Sequence, residues 1–93
     1  MIEVAGERLK ITAPMVIATA AELREAGETA LLSGATVVDL ADVAEADSSA
    51  VAVLLAWTRI AGEQGKPLAI VGVPQSVRSL ASLYGVADLL PLA

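Results

Sequence analysis

Two apolar runs rich in β-branched residues, Thr36–Leu40 and Pro67–Val73, are separated by a stretch of helical periodicity. Neither run alternates apolar with polar residues, and such runs are typical of central strands that are buried on both faces of a sheet. The stretch between them extends from Ser48 to about Gln64, and a helix there would end at Gly65. A strand–helix–strand unit of this kind forms a right-handed crossover between parallel strands. The chain is therefore predicted to be an α/β protein.

The first residues carry a different pattern, in which apolar and charged side chains alternate. Ile2–Val4 and Arg8–Ile11 both follow this alternation, and Gly6-Glu7 lies between them. Alternation with a period of two on either side of a glycine turn is typical of an antiparallel hairpin with one solvent-exposed face. A hairpin added to parallel strands gives a mixed sheet, and we expect four strands in total.

Two further stretches have helical spacing. The first begins at about Met15, with Gly34 as its C-terminal cap. Gly27 interrupts it at a cost of about 1 kcal/mol relative to alanine, which weakens this helix. The second runs from Val77 to Tyr84 and ends at Gly85. The predicted order is β-β-α-β-α-β-α, within one domain that spans residues 1–93.

A chain of 93 residues is long enough to bury a core without disulfides or metals. At this size, folding removes about 60 % of the surface of the unfolded chain from water. We expect the strands and helices to share one core, because each apolar face must be covered. The predicted core contains Val37, Val38, Leu54, Leu55, Ile70, Val71 and Leu80.

The absence of two residue types limits the chemistry that the chain can perform. It has no Cys and no His, so it lacks thiolate nucleophiles, the commonest metal ligand and the commonest acid–base catalyst. The carboxylates between Asp39 and Asp47 lack the ligand spacing of a calcium loop. We therefore expect no metal, no cofactor and no enzymatic activity. Six Lys and Arg against eleven Asp and Glu give a net charge of −5, which argues against binding to nucleic acid.

The chain is strongly apolar, but its apolar residues are not arranged for a membrane. They make up 56 % of the sequence, yet the longest unbroken run, from Ala50 to Trp57, is far short of the about 20 residues that a spanning helix needs. The start, Met1–Arg8, lacks the basic and apolar regions of a signal peptide. We expect a cytoplasmic location without direct insertion into a membrane.

The most informative polar residues stand at the predicted start of the central helix, where Asp47, Ser48 and Ser49 follow a short acidic loop. A helix start has free backbone N–H groups and a partial positive charge. We expect Ser48 to be the N-cap, its hydroxyl accepting a hydrogen bond from an N–H two or three residues later. The same position would tolerate a phosphate, because these N–H groups and the helix dipole favour anions. Asp47, Ser48 and Ser49 are therefore candidates for a partner-binding site or a phosphorylation site.

The central helix is apolar over much of its circumference. Leu54 and Leu55 lie on one side, while Val53 and Trp57 belong to a second stripe that is displaced by more than a quarter turn. Such a helix is either covered by neighbouring helices or held against another protein. Both interpretations stay open. In the second, Ala50, Val53 and Trp57 form the contact surface, since Trp is enriched at binding hot spots.

These features together resemble the STAS domain family, whose fold occurs in sulfate-transporter tails and in anti-sigma factor antagonists. The resemblance rests on the strand Val37–Leu40, the Asp47-Ser48-Ser49 helix start, and the spacing to Leu68–Val73 with its following helix. It covers Val37 to Leu90 well, and the residues before Val37 only by the order of their elements. The resemblance implies the fold of this family, a mixed four-stranded sheet with about three helices.

Within the family, the sequence is most similar to the MlaB subgroup, the STAS subunits of the bacterial lipid-asymmetry ABC transporter. Asp47–Trp57 and Leu80–Val86 carry this similarity. It implies a non-enzymatic cytoplasmic subunit that binds the ATPase of the transporter and supports phospholipid transport. The subunit would lie at the inner membrane only through that partner.

The family also implies an alternative function, that of an anti-sigma factor antagonist whose partner is a serine kinase. Ser48 falls on the position that is a phosphorylatable Ser or Thr in those antagonists. The sequence departs from their pattern at Ala50, where they usually have Gly, and at Ile11–Pro14, where they have a carboxylate. A glycine allows a kinase to approach the backbone closely, and the Cβ of Ala50 makes that approach tighter.

Overall fold

A mixed sheet of four strands forms the centre of the protein, as seen in a computed structural model that describes residues 1–93. The strands are β1 (Ile2–Ala5), β2 (Arg8–Ile11), β3 (Val37–Asp39) and β4 (Ala69–Val71). They lie side by side in chain order; β1 and β2 pair antiparallel, while β2, β3 and β4 pair parallel. The predicted hairpin and the predicted parallel strands are confirmed.

Three α-helices connect and follow the parallel strands. They are α1 (Ile17–Leu32), α2 (Ser48–Glu63) and α3 (Gln75–Leu83), and a short 3₁₀ turn, Ala87–Leu89, follows α3. The observed order of strands and α-helices, β-β-α-β-α-β-α, is the predicted one. None of the helices combines the length and the apolar character that crossing a bilayer would require.

The sheet is covered by helices on one face only. α1 connects β2 to β3 and α2 connects β3 to β4, so both connections step to the next strand in the same direction. Right-handed crossovers that step in one direction place their helices on the same face. Burial alternates accordingly: Val38 and Ile70 have no exposure, whereas their neighbours along the strands are half-buried.

The prediction that β3 and β4 are buried on both faces is therefore wrong. The second face, which we call the open face, carries charged side chains. Arg8 donates a hydrogen bond from Nη1 to Oδ2 of Asp39 at 2.8 Å, and Nζ of Lys10 lies 2.9 Å from Oδ2 of Asp42. The error arises because strands of three residues are too short for alternation to separate a half-buried strand from a fully buried one.

One hydrophobic cluster of 18 buried residues fills the space between the helices and the covered face. Of the predicted core, Val38, Leu54 and Ile70 lie in this cluster with no exposure. The remaining predicted residues are only half-buried, which corrects the prediction, and they are Val37, Leu55, Val71 and Leu80. Val37 and Val71 are on the open face, because successive side chains of a strand point to opposite faces.

Gly27, which weakens the predicted first helix, lies inside α1 without interrupting it. Its missing side chain leaves room for the indole of Trp57, since a Cβ at Gly27 would overlap the ring. The indole is fully buried, and its Nε1 donates a hydrogen bond to the backbone oxygen of Arg24 at 3.2 Å. Gly27 is therefore a point of close contact between α1 and α2.

Candidate docking site

α1 and α2 begin next to each other, and the side chain of Asp47 joins their first turns. Its Oδ1 accepts a hydrogen bond from the backbone N–H of Ser49 at 2.8 Å, and its Oδ2 accepts one from the N–H of Ile17 at 3.1 Å. Ser49 belongs to α2, and Ile17 is the first residue of α1. One carboxylate thus satisfies free N–H groups at the starts of two helices.

The N-cap of α2 is Asp47, and the prediction that Ser48 caps the helix is wrong. Asp47 has the extended backbone of an N-cap residue (φ −123°, ψ −168°), whereas Ser48 is already helical. The two oxygens of the Asp47 carboxylate each accept from one helix start, and its charge interacts with both helix dipoles, whereas the hydroxyl of Ser48 carries no charge. The hydroxyl of Ser48 is left exposed at the first turn.

The negative charge of Asp47 is stabilised by its hydrogen bonds. The N–H of Ser49 is the main cause that holds the pKa of the Asp47 carboxyl below its usual value. The N–H of Ile17 and the hydroxyl of Ser49 act in the same direction, while desolvation opposes them. The carboxyl is therefore ionised at neutral pH. A phosphate on Ser48 would meet this charge, so the start of α2 is less favourable for a second anion than an isolated helix dipole would be.

The predicted contact residues Ala50, Val53 and Trp57 are buried inside the protein, which corrects the prediction that they form a surface for a partner. Of the two interpretations that the sequence leaves open, packing against neighbouring helices is the one observed. Trp57 packs on α1 because Gly27 offers the space that an indole needs there.

The outward side of α2 carries residues that repeat at intervals of three and four, beginning with Ser48. They are Ser48, Ala52, Leu55 and Arg59. Ala52 is exposed and lies between two shallow, largely apolar grooves. The α1–α2 groove is lined by Ile17, Ala20, Ala21, Arg24, Ser49, Ala52 and Val53. The α2–α3 groove is lined by Ser48, Val51, Ala52, Leu55, Tyr84 and Val86.

Each groove contains one large apolar side chain that is unusually exposed. Ile17 is 78 % exposed and Tyr84 is 55 % exposed. The helical spacing predicts Tyr84 on the apolar stripe of the third helix, but Tyr84 follows the last residue of α3 and that spacing no longer sets its direction. The sequence does not predict Ile17 as a site residue. Its exposure is indicated only by its position on α1, more than a quarter turn from the buried Leu23.

We define the docking surface as Ile17, Ser48, Ala52, Leu55 and Tyr84. Contiguous exposed apolar side chains with polar neighbours are typical of protein-interaction sites. The predicted site residue Ser48 lies within this surface, while Ser49 lines one of its grooves and Asp47 holds the helix starts together. No set of three or more His, Cys, Asp or Glu side chains lies close enough together to hold a metal ion.

The fold is that of a small α/β domain with two crossover helices on one face of a mixed sheet. A family model described as “Mlab, STAS domain” matches residues 2–91. The chain belongs to the STAS domain family, and the resemblance seen in the sequence is confirmed. No curated protein matches the chain.

Solved structures of other proteins share the fold, and two of them show the extent of the similarity. One is a protein from Thermotoga maritima, provisionally assigned as an anti-sigma factor antagonist; it is 16 % identical with a TM-score of 0.78, over 99 % of this chain and 83 % of that one. The other is the anti-sigma factor antagonist SpoIIAA in its unphosphorylated form, 15 % identical with a TM-score of 0.73, over 100 % of this chain and 86 % of that one. At these identities the similarity shows the fold alone.

Proposed function

We propose that this STAS domain is a non-enzymatic accessory subunit that binds the ATPase of a phospholipid ABC transporter. The observation that carries the proposal is the family match, whose description contains MlaB and which extends over residues 2–91. MlaB-like subunits, by the resemblance described above, bind the ATPase of the lipid-asymmetry transporter. Through that partner the protein would lie at the cytoplasmic side of the inner membrane and support assembly or activity of the transporter.

The docking surface supports the proposal because it combines the parts that a protein interface needs. Ile17 and Tyr84 provide exposed apolar area, and Ser48 provides a short polar group beside them. Interfaces pair a desolvated apolar centre with a polar rim, and a few anchoring side chains carry most of the binding energy. Ala52 adds little bulk between the two grooves, so a partner can approach both grooves from the same side.

The alternative function is an anti-sigma factor antagonist that is switched when a serine kinase phosphorylates Ser48. Two observations favour it: Ser48 is exposed in the first turn of α2, and both structural neighbours carry descriptions as anti-sigma factor antagonists. The charge of Asp47 opposes it, since a phosphate on Ser48 would adjoin a carboxylate that already caps the helix.

Co-expression with the ATPase of a phospholipid transporter from the same organism tests the proposal. We expect the two proteins to co-purify. Ser48→Glu should weaken the complex about tenfold while leaving the isolated domain folded, because it adds charge and bulk at the docking surface. Ser33→Glu, at the exposed end of α1, is the matched control and should bind like the wild type.

An anti-sigma factor antagonist would behave differently in the presence of its kinase. The γ-phosphoryl group of ATP would pass to Oγ of Ser48, which loses its proton, and ADP would leave. Mass spectrometry would then find one phosphate on Ser48. Phosphorylation of Ser48 in cells, together with no detectable ATPase complex, would contradict the transporter proposal and support the alternative.

A further inference from the structure

The docking surface is bordered by two arginines that have no ionic partner in the protein. Arg24 on α1 and Arg59 on α2 are both exposed, and neither guanidinium has a carboxylate oxygen within 4.0 Å. Arg8 and Lys10, by contrast, form the ion pairs of the open face. The positive charge beside the docking surface is therefore free to meet a negative charge from outside.

Arg24 and Arg59 occupy equivalent places on the two helices. Arg24 lies two turns beyond Ile17, and Arg59 lies two turns beyond Ala52, a distance of about 10.5 Å along each helix axis. Seven residues complete almost two whole turns, so each arginine is on the same side of its helix as that residue. The helices are aligned at this level, because Trp57 on α2 donates to the backbone oxygen of Arg24. The two arginines therefore border the same end of the docking surface.

We infer that the segment of the ATPase that binds here is an amphipathic helix with an apolar stripe and, two turns further on, carboxylates that pair with Arg24 and Arg59. This inference rests on the proposed function and adds the chemistry of the partner. The apolar stripe occupies the α1–α2 groove, whose lining extends along α1 from Ile17 to Arg24, in the manner of a helix bound in an apolar groove. The carboxylates meet two cations that the protein leaves unpaired, and such complementary charges set orientation and speed association.

A membrane surface is the other occupant that an apolar patch with two arginines could attract. The remaining charge of the molecule disfavours it. The net charge is −5, and α1 also carries Glu22, Glu25 and Glu28 beside a depression on its surface. An anionic leaflet is an extended sheet of charge that would meet these carboxylates, whereas a helix can place its charges at two points only. The observations therefore favour a protein partner.

Charge reversal at the two arginines tests the inference, with the full chain and the purified ATPase. Arg24→Glu and Arg59→Glu should each weaken binding about tenfold, and the double variant about a hundredfold, because each change turns an attraction into a repulsion. Lys66→Glu is the matched control, since Lys66 is exposed and unpaired after α2, and its affinity should stay within about twofold of the wild type. Raising NaCl from about 50 to about 500 mM should weaken the wild-type complex far more than that of the double variant.

Melting curves and Trp57 emission establish that each variant is folded. Arg24→Gln and Arg59→Gln, which remove charge without adding repulsion, should show a smaller loss in the same direction. Wild-type affinity in the double charge-reversal variant would overturn the inference and leave the proposed function standing. A wild-type chain that forms no complex with the ATPase would overturn both. Sedimentation of the wild type with phosphatidylglycerol vesicles, abolished in the double variant, would also overturn the inference, because the arginines would then serve a membrane.

Discussion

Gly27, which has no side chain, and Asp47, which has a charged one, hold α1 and α2 together at different points along their length. Gly27 provides the space for the Trp57 indole, and Asp47 joins the first turns of the two helices. Neither residue belongs to the docking surface, but both determine the positions of the helices that form the α1–α2 groove. The shape of that groove therefore depends on residues that do not line it.

Gly27→Ala is predicted to destabilise the protein by about 1–3 kcal/mol, although alanine favours a helix over glycine by about 1 kcal/mol. The added Cβ would overlap the buried indole of Trp57. A close-packed interior cannot accept that overlap without shifting α2 away from α1. Urea denaturation measures the change in the free energy of unfolding.

A double-mutant cycle with Trp57→Leu provides the control for this substitution. The smaller leucine leaves room for a Cβ, so Gly27→Ala should become neutral or stabilising in the Trp57→Leu background. If Gly27→Ala stabilised the otherwise wild-type protein, the contact between Gly27 and Trp57 would not exist in solution.

At the scale of the elements, local patterns predict the order of strands and helices but not the faces that they bury. Hydrophobic periodicity and residues such as Gly65 are sufficient to locate α2 between its strands. The side of α2 that faces α1 is not predictable in this way, because the stripes containing Leu54 and Trp57 are both apolar. Gly27, which is distant in the sequence, decides between them. The covered face of the sheet likewise depends on the common direction of the two crossovers, which no local pattern contains.

The candidate site likewise has one part that local sequence patterns predict and one part that they do not. Its polar part, Asp47-Ser48-Ser49, is visible in the sequence, because capping residues are polar and precede an apolar stretch. Its apolar part includes Ile17 from the start of α1 and Tyr84 from the end of α3, and tertiary packing alone brings these to α2. Sequence reasoning can therefore locate the site but cannot list the residues that complete it.

Asp47→Ala should lower the melting temperature by about 5 °C, because it removes the cap of α2 and the hydrogen bond to α1 together. Asp47→Asn keeps an acceptor oxygen but loses the charge, so its effect should be smaller. Ser48→Ala is the matched control and should be nearly neutral, since Asp47 is the cap. Thermal unfolding followed by circular dichroism compares the three variants. A larger loss for Ser48→Ala than for Asp47→Ala would identify Ser48 as the cap instead.

At the scale of the whole molecule, the charges are distributed unequally over the two sides of the sheet. On the open face, Arg8 pairs with Asp39 and Lys10 pairs with Asp42. Exposed pairs of this kind contribute little to stability, but they leave these basic groups with less attraction for other anions. On the helical side Arg24 and Arg59 are unpaired. A carboxylate of a partner would therefore meet unpaired arginines on the helical side and basic groups that are already paired on the open face.

The stability of the molecule should be nearly independent of pH between about 5 and 8 and should fall below about pH 4. The chain has no His, the side chain that usually titrates in the neutral range. Two carboxyls have pKa values below the usual range. The N–H of Ala41 is the main cause for the pKa of Asp39, with Arg8 acting in the same direction, and the N–H of Ser49 is the main cause for the pKa of Asp47.

The stability falls at acid pH, and we call this part of the profile the acid limb. Its direction follows from the lowered pKa values of Asp39 and Asp47. The unfolded carboxyls take up protons near their ordinary pKa of about 3.9, before the folded ones do. Their contribution to stability is therefore complete above that pH and is lost as the pH falls through the folded pKa.

Urea unfolding at intervals from about pH 2 to about pH 8 measures the profile. Asp39→Asn and Asp47→Asn should each flatten the acid limb, because each removes a carboxyl whose pKa is lowered by folding. An acid limb of wild-type steepness in the Asp39→Asn/Asp47→Asn double variant would show that other carboxyls control acid unfolding.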